Sequence, residues 1–253
     1  MEKNKGSRYL LVDGIRGLAI VNMVVFHFLY DVYVVSGRDP GWYFRSGIQI
    51  WQQAICRTFI LVAGFVWRFG ERNSLRRGLL FHLCGTLVSL VTWAVIPNEA
   101  VWFGILSFMG AAVLLMIPLH RWLCKARIPA PAGLAASLAC FVLFKEVQYG
   151  HLGIGNLLRW NMPEAPYRIR LLTPLGFPAP DFSSSDYFPV LPWMFLFLAG
   201  YFLYPLLEGR ERWRKVGRRR VPLLSAVGQK SLLIYLIHQP VCMGVWLLLD
   251  KIR

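Results

Sequence analysis

DGIRGLAIVNMVVFHFLYD, residues 13–31, decides how the rest of the chain is read. With its flanks this run is apolar over about 10–35, long enough to cross a hydrocarbon core. It nevertheless carries Asp13, Arg16, His27 and Asp31. Ionisable side chains in such a helix have to face protein or a wet cavity, and they mark function by default. His27 comes eleven positions after Arg16, three helical turns plus about 20°, so both side chains share a face, roughly 16 Å apart along the axis. Asp13 and Asp31 fall about 40° from His27 on the same wheel, and Asn22 about 140° away. One stripe therefore holds a charge at the membrane edge and an imidazole near the midplane. Asp31, one turn beyond His27, is placed to orient its ring or stabilise an imidazolium. The competing reading is a polar contact that locks the helix into its neighbours.

The composition extends this reading to the whole chain. The 253 residues are 56% hydrophobic and 15% aromatic, with a mean hydropathy of +0.47, too apolar for a soluble domain of this size. Apolar windows at about 10–35, 47–67, 79–96, 101–119, 130–147, 188–207 and 229–249 predict an all-α integral membrane protein. It would be a single bundle of about seven transmembrane helices forming one domain over residues 1–253. The net charge of +15 does not imply nucleic acid, because the basic residues fall in short connections and not on one soluble face. Arg68, Arg72, Arg76 and Arg77, then Arg121, Lys125 and Arg127, then the run from Arg210 to Arg220 lie on the side of Lys3, Lys5, Arg8 and Lys230. That side holds eighteen basic residues against seven opposite. The asymmetry puts the N-terminus in the cytoplasm and the C-terminus outside a cytoplasmic (inner) membrane.

The one long connection, 148–187, lies outside, and its Gly, Pro and aromatic content predicts a packed cap. Asp181 and Asp186 precede the sixth span. Cys56, Cys84, Cys124, Cys140 and Cys242 form no CxxC pair and read as small buried hydrophobes. No cleavable signal peptide is expected, because the first apolar run is too long.

Two further spans carry polar stripes. Gln49, Gln53 and Arg57 recur every fourth residue, with Arg57 close to mid-membrane and Asp31 or a bound anion as its expected partner. In SLLIYLIHQP, residues 231–240, Ser231, Tyr235, His238 and the following Cys242 fall within roughly 60° of one another, and Pro240 frees backbone carbonyls. His238 reads equally as a second functional imidazole or as a packing histidine. His82, His120 and His151 read as interfacial or loop residues. No HExxH, P-loop or GxGxxG occurs, and no metal site is expected.

Four stretches together resemble a known family. DGIRGLA followed by His27 is similar to the Arg-x10-His first helix of the acyltransferase-3 membrane enzymes. HFLYD (27–31), FGILSFMG (103–110), DYFPVLPW (186–193) and SLLIYLIHQP (231–240) resemble the bacterial branch of the heparan-alpha-glucosaminide N-acetyltransferase catalytic-domain family. The resemblance runs from Arg8 to about Val241. It implies transfer of an acetyl group from cytoplasmic acetyl-CoA, used as co-substrate, to an amine or hydroxyl of an extracytoplasmic saccharide or lipid-linked sugar. It further implies an essential His27, with Arg16 as the motif arginine. Arg16, Arg57, Ser231, Tyr235 and His238 are the expected acetyl-CoA contacts, and Asp186 lies on the substrate side. Arg16 and the 210–220 run would hold the phosphates of the donor. Membrane lipids are the expected surroundings, and a homo-oligomer is compatible with the chain. The alternative is a small-solute transporter or channel whose path the polar stripe lines.

Overall fold

Each expected apolar window overlaps a long helix in the computed structural model, which describes residues 9–155 and 157–252. Lys3, Lys5, Arg8 and Arg253, which entered the charge count, lie outside the described residues. In chain order the helices are α1 (Leu10–Tyr30), α2 (Ser46–Val66), α3 (Ser74–Val95), α4 (Ile105–Lys125), α5 (Ala130–Phe144), α6 (Val190–Glu208), α7 (Glu211–Gly217), α8 (Pro222–Gln229) and α9 (Ser231–Lys251). A hairpin of β1 (His151–Ile154) and β2 (Leu158–Asn161) sits between α5 and α6.

Six continuous helical stretches are long and apolar enough to cross a membrane. One of them, Ser46–Val95, has 50 residues and holds both α2 and α3, joined by the 3-10 turn Trp67–Asn73. At about 1.5 Å per residue it is roughly twice the length one crossing needs. The chain is therefore an all-α, multi-pass membrane protein. Helix α8 was not foreseen as a separate element. It precedes the expected window at 229–249, and Lys230, at φ −103° and ψ 16°, breaks the helical path between α8 and α9.

The chain divides into two compact units, Met1–Phe59 with Glu208–Arg253, and Ile60–Leu207. In the first, α1 packs on α8 and α9. Helices surrounded by lipid gain little from burying apolar surface against each other, so close backbone approach has to hold them. Gly17 and Gly228 provide it. A Cβ on Gly17 would lie 1.9 Å from the Leu224 carbonyl oxygen, and one on Gly228 would lie 1.8 Å from that of Asp13. Fully buried Ser225 sits in the same seam and donates from Oγ to the Leu10 carbonyl at 3.0 Å. Farther along α1, Ile20, Met23 and Phe26 form a core with Trp42 and Ile55, against which Ile234 and Tyr235 of α9 pack. Asn22, on the other side of the wheel from His27, accepts from Trp51 Nε1 at 3.0 Å and so fixes α1 to α2.

In the second unit α3 packs along α4. The connection after α5 is built of the hairpin and three 3-10 turns, Val147–Tyr149, Ala165–Arg168 and Arg170–Leu175. Tyr167 Oη donates to the Val147 carbonyl, and Tyr187 Oη to that of Thr173, both at 2.5 Å. The segment entering α6 then runs along the segment entering α4. Ser185 N donates to Ala100 O at 3.2 Å and Phe188 N to Phe103 O at 2.9 Å. This lacing delivers Asp186 to the first turn of α4.

Candidate active site

His27 and His238 face each other across the α1–α9 seam of the first unit. Their ring centroids are 4.7 Å apart with planes at 62°. Phe26 meets His27 edge to face at 5.8 Å, and Tyr235 lies 5.3 Å from His238. His238 is buried, and its Nδ1 lies 2.5 Å from the Tyr235 carbonyl oxygen, one turn back on α9. A carbonyl oxygen has two lone pairs, so a side-chain donor one turn on can bond to it within the helix.

One turn beyond His27, α1 widens into a π turn over Asp31–Val35, with Ser36 N donating to Asp31 O at 3.1 Å. Such insertions re-aim side chains and recur at functional sites. Here the turn begins at Asp31, which has no exposed surface. Gln239 Nε2 donates to Asp31 Oδ1 at 2.8 Å. The second carboxylate oxygen, Oδ2, has no hydrogen-bond partner among the described residues, and neither does Gln239 Oε1 or His238 Nε2. Cys242, one turn past His238, directs its thiol to the Val24 carbonyl at 3.7 Å. Two imidazoles, a carboxylate and a carboxamide thus line a few turns of one helix pair, with three buried polar atoms unsatisfied. Native interiors satisfy nearly all such atoms, so a group of three points to a bound molecule or water.

The structure brings together His27, Asp31, His238 and Tyr235 from the expected set. Arg16 lies three turns down α1, half-buried, with its guanidinium 3.4 Å from Asp13 Oδ1. Arg57 is exposed on α2, and the hydrogen bond to Asp31 comes from Gln239. Ser231 opens α9, two turns before His238. Gln239 was read only as part of the SLLIYLIHQP run. Its signal in the sequence is adjacency: a carboxamide next to His238, four residues from Tyr235, in a helix otherwise apolar.

Asp186 belongs to the second unit. Its Oδ2 accepts the Ile105 amide at 3.2 Å and so caps α4. Burial raises its carboxyl from 3.8 to about 6, partly offset by that amide. The same unit holds a recess of about 420 Å³ lined by Trp67, Glu71, Arg72, Leu75, Ile117 and Arg121. Beside it His120 Nδ1 lies 2.6 Å from Tyr201 Oη and Nε2 lies 3.6 Å from Glu71 Oε1. His151, in the hairpin, pairs with Glu146 at 2.9 Å. Among the described residues no group of three or more His, Cys, Asp or Glu is arranged to hold a metal ion.

The family described as "Heparan-alpha-glucosaminide N-acetyltransferase, catalytic" matches residues 8–240, nearly the whole chain. Searches of curated proteins and of solved structures give no match.

Proposed function

The chain belongs to the heparan-alpha-glucosaminide N-acetyltransferase catalytic family of membrane acetyltransferases, and on that premise we propose which atoms it moves and where. Acetyl-CoA on the cytoplasmic side gives its acetyl group to an amine or hydroxyl of a sugar on the other side of the inner membrane. The helices cross seven times, with the N-terminus in the cytoplasm and the C-terminus outside, in keeping with the distribution of basic loops. The His27–His238 pair is the reacting centre, one imidazole taking a proton or the acetyl group. Asp31 holds the outer edge of that centre. Arg16, with Arg57, Ser231 and Tyr235 on the donor's path, meets acetyl-CoA. Residues 148–187 cap the substrate side, where Asp186 stands, within one acyltransferase-like domain.

The observation that carries this reading is the 4.7 Å contact of two imidazoles inside membrane helices, next to a carboxylate with no exposed surface. Keeping such groups in an apolar helix pair is costly, and chemistry is the ordinary reason to keep them. The test is release of CoA from acetyl-CoA by purified protein given glucosamine. The wild type is expected to release CoA in an acceptor-dependent way, and folded His27→Ala is expected to lose at least about 100-fold. Equal turnover by both would remove His27 from the centre.

A further inference from the structure

The hydrogen bonds around the histidine pair decide which atoms are donors and which are acceptors. A carbonyl oxygen only accepts, so the Tyr235 carbonyl at 2.5 Å places the proton of His238 on Nδ1. His238 Nε2 therefore carries a lone pair. A carboxylate likewise only accepts, so the Gln239 amide points its Nε2 at Asp31 Oδ1 and turns Oε1 away. The three unsatisfied buried atoms, His238 Nε2, Gln239 Oε1 and Asp31 Oδ2, are thus all acceptors. Buried acceptors without donors are unfavourable. The arrangement is complementary to a molecule that brings several N–H or O–H groups. The acetyl group and the thioester sulfur bring none, and the amide N–H groups of the pantetheine arm are spaced along its length, so a compact acceptor with several N–H and O–H groups fits the three atoms better than the acyl donor does.

Resting on the acetyltransferase reading, we infer that His238 is the base that deprotonates the acceptor substrate, and that Asp31 Oδ2 and Gln239 Oε1 hold its neighbouring hydroxyls. This assigns His238 to the acceptor, not to acetyl-CoA. In the reaction the acceptor nitrogen or oxygen attacks the thioester carbon, and its proton passes to His238 Nε2. The C–S bond then breaks, and the sulfur leaves with that proton as the CoA thiol. The new bond is an amide or ester, and the imidazole returns to its starting tautomer.

The test uses full-length protein in nanodiscs, with acetyl-CoA and glucosamine varied separately. His238→Asn keeps an N–H in the place of Nδ1, and so keeps the bond to Tyr235, while removing the base. It is expected to turn over about 10²–10⁴-fold more slowly with the KM for acetyl-CoA unchanged. Asp31→Asn is expected to raise the KM for glucosamine at least about tenfold without moving that for acetyl-CoA. Cyclohexylamine, which has no hydroxyl, is expected to be at least about tenfold poorer in kcat/KM. The ¹⁵N shifts of His238 in the wild type, which need no variant, are expected to report the Nδ1–H form. Full turnover by His238→Asn, a KM change confined to acetyl-CoA, or the Nε2–H form would each overturn the inference and leave the acetyltransferase reading standing. Wild-type protein that acetylates no amine or alcohol would overturn both.

Discussion

Gln239 donates to Asp31 across 2.8 Å and leaves each residue with one buried acceptor unsatisfied. Removing the carboxamide strands a carboxylate that has no exposed surface. Gln239→Leu is therefore expected to lower stability by about 1–3 kcal/mol or more, read as a fall in the thermal midpoint in detergent. Asp31→Leu combined with Gln239→Leu is expected to recover part of that loss, because no orphaned charge is left. Additive losses would show that the two residues are not coupled.

The α1–α8 seam has no room for a side chain at Gly17 or Gly228, where a Cβ would meet backbone oxygen at 1.9 Å and 1.8 Å. Backbone cannot yield as a flexible side chain does. Gly17→Leu is expected to cost more than about 3 kcal/mol and to abolish monodisperse purification. Gly244→Ala is the informative control, because an added Cβ there meets nothing within 4 Å, and in a helix it is expected to be neutral or stabilising. Normal behaviour of Gly17→Leu on a sizing column would contradict the packing described.

Asp186 gives a pH dependence of defined sign. Its carboxyl is raised from 3.8 to about 6 by burial, so the folded state binds this proton more tightly than the unfolded state. Its contribution therefore favours folding below about 4 and is lost as pH rises through about 6. The thermal midpoint is expected to fall over that window in the wild type and to fall less in Asp186→Asn. Identical pH profiles would mean that Asp186 titrates like a free carboxylate.

Arg38 and Asp250 join the end of α1's extension to the end of α9 at 2.5 Å, yet both are exposed. Solvent screening limits such a pair to about 1 kcal/mol or less. Arg38→Ala is expected to shift the thermal midpoint by no more than a few degrees, and less in high salt. A large, salt-independent loss would show that the pair is shielded in the membrane protein.

The helices were legible in the sequence because each crossing needs about twenty apolar residues, a pattern few other structures demand. The polar stripe of α1 was legible for the same reason, since His27 and Asp31 stand out against Ile20, Met23 and Phe26. What the pattern could not carry was pairing between helices. The expectation that Arg57 would meet Asp31 or a bound anion came from charge alone. The structure supplies Gln239 instead, through a π turn that no propensity announces and that turns Asp31 toward α9. Helix α8 was hidden likewise, because its eight residues, Pro222–Gln229, are too few to register as a spanning window. Asp186 was found as an acid near the sixth span. Its role as the cap of α4 depends on a contact 81 residues away in sequence.

The most direct test of the account is transfer across a bilayer. Purified protein is reconstituted in vesicles, labelled acetyl-CoA is sealed on the side of the N-terminus of α1, and glucosamine is supplied only on the other side. The account predicts labelled N-acetylglucosamine on the glucosamine side for the wild type, and at least about 100-fold less for His27→Ala and His238→Asn. No product from the wild type, or equal product from the variants, would contradict it.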